Sequence, residues 1–258
     1  IKDRSTVLAQ RHTTIIDLGR SRIRALEARR AGGGYIVTHT WAQDLPTEIK
    51  RTDAQQTGAW IRQELRDSGF KSGAATVSLA REDVVVKRLT LPTTDIRELP
   101  EMTLLAMQRE LTFDTSKAVI DFQFLNSDGV NSTVLAVAVP TETLDLARQT
   151  IRAAGFKIRC ISLRAFGSVA LIADDLHSEQ GPTSGTLTID VTSSGIEFCV
   201  VKQGSLQFSR AAHLNESSTL DEVVDNVLTE TTRTWTSFGI IDEGHPVTSV
   251  VVFAPDEI

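Results

Sequence analysis

The chain has 258 residues, 41% apolar and 23% charged, an ordinary globular composition with length enough for one large or two moderate domains. Its 27 basic and 33 acidic residues leave a formal charge of −6, which excludes an overall cationic field for gathering nucleic acid or anionic lipid. No apolar run approaches the roughly 18 residues needed to cross a bilayer, and IKDRSTVLAQRH at the start lacks a signal-peptide core, so a cytoplasmic protein is expected.

In chain order, TIIDL, SRIRALEAR and YIVTHTWA are strand-like runs joined by LGR and by Gly32-Gly33-Gly34, an antiparallel meander. Residues 53–68 place Ala54, Trp60, Ile61 and Leu65 near one helix face, and Gly69 stands where a left-handed cap ends a helix. AATVSLA and DVVVKRLTL follow as strands around a turn at Arg81-Glu82. A helix then runs from about Pro100 to Thr112, with proline suited to its first turn. AVIDFQFL and STVLAVAV are two more strands around a polar turn at 126–131. Residues 141–154 form an amphipathic helix ended by Gly155, FKIRCISL a strand and RAFGSVALIADDL an apolar helix.

HSEQGPTSG, residues 177–185, is the clearest linker. Beyond it the pattern repeats. LTIDVTSSGIEFCVVKQGSLQFSRAA is again a three-strand meander, and a shift of 173 residues lays Asp190 on Asp17, Ser194 on Ser21 and Ile196 on Ile23. Thr219 and Glu222 form a capping box for a helix expected to carry Leu220, Val223, Val224, Val227, Leu228 and Trp235 inward and to end at Gly239. VTSVVVFA is then a buried strand. Cys160 and Cys199 each sit in an apolar run and read as buried, reduced thiols. The first residue is not Met and the last strand ends close to Ile258, so a longer parent chain is also expected.

Few residues announce chemistry. D-x-G-x-S at Asp17, Gly19 and Ser21 suits a phosphate turn, but the same residues are those any hairpin bend prefers, so Asp17 and Asp190 also read as simple turn caps. The five histidines have no ligand spacing, and no H-E-x-x-H, C-x-x-C, G-x-S-x-G or P-loop occurs; no catalytic residue is assigned. Arg20, Arg22, Arg24, Arg29 and Arg30 are anion-contact candidates whose plainer reading is a solvated strand face. Trp41, Trp60 and Trp235 read as core.

Duplicated meanders, each opening with an Asp at the end of a buried strand and followed by helices, resemble the actin-like ATPase superfamily. The order of SLAREDVVVKRLTLP, a helix, AVIDFQFL, VLAVAVPTETLDLARQTIRAAGFKIRCISLRAFGSVAL and GSLQFSR narrows this to a resemblance to the type IV pilus assembly protein PilM family, related to the divisome protein FtsA, over about residues 13–255. The resemblance implies an α/β, actin-like (ribonuclease H-like) fold of duplicated domains with an FtsA/PilM-type insertion. The expected divisions are 13–75 and 157–178 for the first domain, 76–156 for the inserted subdomain and 185–258 for a reduced second domain.

It also implies a phosphate site at Asp17, Gly19, Arg20 and Ser21 and, in the second hairpin, Asp190, Ser193 and Ser194, with Asp17 holding Mg²⁺ through water. The departures are large. Thr192 replaces the glycine of the second hairpin, and a β-branched residue resists positive φ. Only AAHLNESS separates the meander from the next helix, where the family carries the cleft's upper wall. Pro255-Asp256 replace the adenosine-loop glycines. The cofactor expectation is therefore none, with ATP/Mg as the alternative. The functional expectation is a cytoplasmic scaffold, peripheral to the inner membrane through a partner whose cytoplasmic tail it docks, in a pilus or secretion apparatus. Phe113 and Asp114, in LTFDTS at the insertion's edge, mark a candidate docking surface. Self-association stays open as a second partner mode; nucleic acid and direct membrane insertion are not expected. The alternatives are a working ATP-binding switch or ATPase and the cytoplasmic region of a type II secretion L-type protein.

Overall fold

The computed structural model describes residues 12–32, 34–179, 185–192, 195–214, 219–241 and 247–254. They divide into two compact units, residues up to Ala80 with Glu142–Ser162, and Arg81–Thr141 with Leu163 onward.

The first unit is built on strands β1 (His12–Leu18), β2 (Arg22–Ala31), β3 (Gly34–Asp44), β4 (Ala74–Leu79) and β8 (Lys157–Leu163), in the sheet order β3-β2-β1-β4-β8. β1 and β2 are antiparallel, β1 and β4 parallel. Helix α1 (Ala54–Asp67) starts because the Asp53 carboxylate accepts the amides of Gln55 and Gln56. It stops at Gly69, whose φ of +84° is left-handed. Helix α3 (Thr141–Ala153) meets α1 at Gly58, where a Cβ would lie 2.4 Å from both the Ala153 Cβ and the Thr150 carbonyl oxygen. Only glycine allows the two helices this close. Ile16, Ile61, Leu65, Val77 and Ile151 are buried in this unit.

The second unit holds two sheets. β9 (Gly185–Val191), β10 (Gly195–Lys202), β11 (Ser205–His213) and β12 (Val247–Phe253) form the order β11-β10-β9-β12. β9 is antiparallel to β10 and parallel to β12, so strand order and direction repeat those of β3-β2-β1-β4. Helix α5 (Leu220–Ile241) covers a core of Leu187, Ile189, Phe198, Val200 and Phe238. Its capping box forms as expected, the Thr219 amide donating to Glu222 Oε2 at 2.8 Å and the Glu222 amide to Thr219 Oγ1 at 3.4 Å. The other sheet, β5 (Val85–Leu91), β7 (Ser132–Pro140) and β6 (Ala118–Ser127) in that order, packs against helix α2 (Leu99–Glu110) through Leu91, Leu99, Met107, Val134 and Ala136. Helix α4 (Arg164–Glu179) lies on β10 and β11, and β11 also touches β5 and β7.

Within the segment 76–156 read as the insertion, only residues 81–141 fall outside the first unit. β4 pairs with β1, and α3 packs on α1. Likewise α4, read as the end of the first domain, groups with the second sheet.

Four local expectations are corrected. α5 continues through Gly239 to Ile241, because one glycine costs a helix only about 1 kcal/mol and Phe238 anchors that turn in the core. The inward stripe of α5 is Val223, Val227, Glu230, Thr234 and Phe238, at one helical spacing. Leu220, Val224, Leu228 and Trp235 belong to the neighbouring stripe and are exposed. β12 is not a buried strand. It alternates half-buried and exposed residues because it is the last strand of its sheet. Cys160 is exposed on the edge strand β8, whereas Cys199 is buried in the central strand β10.

Candidate functional site

The first hairpin places Asp17 next to last in β1, Gly19 and Arg20 at the bend and Ser21 just before β2. Gly19 is buried, Ser21 half-buried and Arg20 exposed. The Ser21 carbonyl accepts the Leu45 amide at 2.7 Å, which ties the bend to the end of β3. Asp17 is opposite Arg24 in the β1–β2 ladder, and its carboxylate lies 3.5 Å from the Arg24 Nη1. Asp17 and Arg24 also line a cavity of about 420 Å³, with Ile15, Leu26, Thr40 and Trp41 among the residues around it. This is an ion pair in the lining of a mostly apolar hollow.

The second hairpin repeats the geometry with different chemistry. Asp190 is half-buried at the end of β9, opposite Glu197 of β10. Ser193 and Ser194 lie outside the described residues, as do Pro255 and Asp256. Thr192, in the glycine's position, directs both its amide and its hydroxyl to the Gly195 carbonyl oxygen, each at 2.9 Å. Both donors of Thr192 are thus spent inside the turn.

Sequence reasoning missed the buried polar cluster behind this hairpin. Glu197 is only 5% exposed. It accepts from the Ser209 hydroxyl at 3.3 Å, and burial, with the negative charge of Asp190 adding to it against Arg164 and Arg81, pushes its carboxyl up to about 7. Arg81, in the 3₁₀ turn Arg81–Asp83, donates from Nε to the Ser209 hydroxyl at 3.0 Å, from Nη2 to the Ser209 carbonyl at 3.1 Å and from Nη1 to the Val84 carbonyl at 2.7 Å. Burial lowers the Arg81 guanidinium from its ordinary range, partly offset by Glu197. The signal in the sequence was a Glu inside the near-continuous apolar run GIEFCVV, a pattern of strands buried on both faces.

At the insertion's edge, the Asp114 carboxylate accepts the Ser116 amide at 2.8 Å and so caps the turn Thr115–Lys117, while Phe113 is half-buried. β6 is an outer strand of its sheet, and Val119 and Phe124 on it are exposed. Among the described residues, no group of three or more His, Cys, Asp or Glu is arranged to hold a metal ion, and no helix is long and apolar enough to cross a membrane.

A family model described as type IV pilus assembly protein PilM matches residues 15–228. Among solved structures, the chain is similar to one of the PilM-PilN type IV pilus biogenesis complex, with a TM-score of 0.76 and 15% identity over 93% of this chain and 81% of that one. It is also similar to the cytoplasmic domain of EpsL, an inner membrane component of the type II secretion system of Vibrio cholerae (TM-score 0.59, 13% identity, 95% and 84% covered). A Bacteroides thetaiotaomicron protein with an actin-like ATPase fold and unknown function matches with a TM-score of 0.55 and 10% identity, over 97% and 86%. No curated protein sequence matches. The actin-like fold expected from the duplicated meanders is thus the observed one.

Proposed function

Because the chain belongs to the type IV pilus assembly protein PilM family, we propose that it is a cytoplasmic scaffold that docks the cytoplasmic tail of an inner-membrane protein and does not depend on nucleotide to do so. The observation that carries the second half is the Thr192 turn. Its amide and hydroxyl both serve Gly195, and the carboxyl groups of Asp190 and Glu197 stand opposite one another immediately behind it. Neither donor of Thr192 is left for a phosphate, where a glycine would let the backbone close on one, which argues against Mg-ATP at the second hairpin.

The first half is supported by the named complex of a similar protein with PilN and by the apolar edge of the insertion. An extended tail laid along β6 would use that strand's outer backbone groups and cover Val119 and Phe124. Affinity capture from detergent-solubilised membranes, read by mass spectrometry, tests this reading. A pilus inner-membrane protein should be recovered by the wild type and lost with Val119→Glu/Phe124→Glu. Equal recovery by both would refute docking at β6.

The similarity to the EpsL cytoplasmic domain favours a second reading, a role in a type II secretion assembly. The same capture separates the two by the identity of the protein recovered.

A further inference from the structure

The first unit has two ends, and the order of its strands and helices gathers different charges at each. Gly19–Ser21 lies at one end. At the other, β1 begins with His12 opposite Arg29, β2 turns into β3 around Gly32, and α1 and α3 both finish. Two hydrogen bonds hold these pieces together. The Lys71 amide donates to Glu27 Oε2 at 3.1 Å, tying the loop after α1 to β2, and the Lys157 amide donates to the Gly73 carbonyl at 2.8 Å, tying the start of β8 to the start of β4.

Arg29, Arg30, Arg66, Lys71, Arg152 and Lys157 are all exposed at this end. Among the described residues, the acidic ones beside them are fewer. Glu27 is buried, Glu64 is half-buried and Asp67 accepts both its bonds from the Gln63 amide group. The chain as a whole has a formal charge of −6, so this is a local reversal of sign. Beside the arginines, Tyr35, Ile36 and Val37 are 57%, 46% and 52% exposed, three consecutive residues paired with Arg30, Arg29 and Ala28. Consecutive exposure on a strand means that both faces of the ribbon tip are open.

We propose that this end of the first unit docks on an anionic lipid surface, its six cations meeting lipid headgroups while Tyr35, Ile36 and Val37 enter the interface. Clustered Lys and Arg are attracted to negatively charged headgroups, and an aromatic with a polar tip beside aliphatics suits the boundary below them. Nucleic acid or an acidic peptide would satisfy the cations but would leave Ile36 and Val37 in water, which is why the lipid surface is favoured. The contact is a surface one and differs from the docking of a protein tail at β6, since the residues are different and lipid alone suffices to detect it.

The test is co-sedimentation of the purified chain with vesicles of phosphatidylcholine alone and of 70:30 phosphatidylcholine and phosphatidylglycerol, at low and high salt. Binding is expected on the anionic vesicles only and should weaken as salt rises. With each surface cation worth roughly fivefold, Arg29→Gln/Arg30→Gln should weaken binding about 25-fold, and Arg29→Lys/Arg30→Lys should retain it. Tyr35→Ser/Ile36→Ser should weaken binding with its salt dependence unchanged, and circular dichroism should show every variant folded. Equal binding to both vesicle types, no binding by the wild type, or binding to an oligonucleotide in place of vesicles would overturn the proposal.

Discussion

Glu197 stands directly opposite Asp190 in the β9–β10 ladder. The shift of 173 residues that superposes the two meanders puts Glu197 on Arg24 and Asp190 on Asp17, so an ion pair in one copy is a pair of carboxyl groups in the other. The duplication has kept the backbone and reversed one charge.

The buried carboxyl makes stability depend on pH with a definite sign. Raised from its ordinary 4.5 to about 7, Glu197 binds its proton more tightly in the folded chain than in the unfolded one. Its contribution is therefore full below about pH 4.5 and is lost as pH rises through about 7. The loss is on the order of 3 kcal/mol. Glu197→Gln should remove this slope. Denaturant titrations at pH 5.5 and 8 are expected to show a fall in stability for the wild type and a smaller one for the variant. Parallel pH profiles would contradict the assignment.

For Asp17 the pairing with a half-exposed Arg24 sets a modest scale. Asp17→Asn and Arg24→Ala should each cost no more than about 1 kcal/mol, with a coupling of about 0.5 kcal/mol in a double-mutant cycle. Mg-ATP at about 0.1 mM should not raise the melting temperature, because a site of roughly millimolar affinity is barely occupied there. A nucleotide-induced shift abolished by Asp17→Ala would support the ATP-binding alternative.

The two thiols should differ sharply. Cys160 is exposed, whereas Cys199 is buried and burial pushes its thiol well up from its ordinary range. The native chain should release one equivalent of thionitrobenzoate from Ellman's reagent quickly, and Cys160→Ser should release none until denaturant is added. Fast release of two equivalents would contradict the burial of Cys199.

Much of the fold was legible because its signals are local and periodic. Asp53 and Gly69 bracket α1, Thr219 and Glu222 open α5, and the two meanders repeat at a constant offset. What was illegible depends on which neighbour covers a face. Leu228 and Val227 are both apolar and adjacent, yet only a sheet's position tells which is inside. Cys160 and Cys199 sit in similar runs, and edge against centre separates them. At the candidate site, the hairpin's Asp, Gly and Ser could be read directly, but the Arg81–Ser209–Glu197 cluster joins residues more than a hundred positions apart.

Gly58 tests the packing of α1 on α3. Gly58→Ala would place a methyl 2.4 Å from Ala153 Cβ and the Thr150 carbonyl, a clash that backbone atoms cannot relieve by rotamer change. A loss of about 1–3 kcal/mol is expected, against the gain an alanine ordinarily brings to a helix. Stabilisation in a denaturant titration would show that the helices stand further apart.

The central claim is docking of a membrane protein's tail without nucleotide. The measurement that meets it most directly is calorimetric titration of the chain with a synthetic peptide of the cytoplasmic tail of its own organism's pilus inner-membrane protein, with and without Mg-ATP. The account predicts saturable binding of the same affinity in both. Binding that appears only once Mg-ATP is present would contradict it and make the first hairpin a working nucleotide switch.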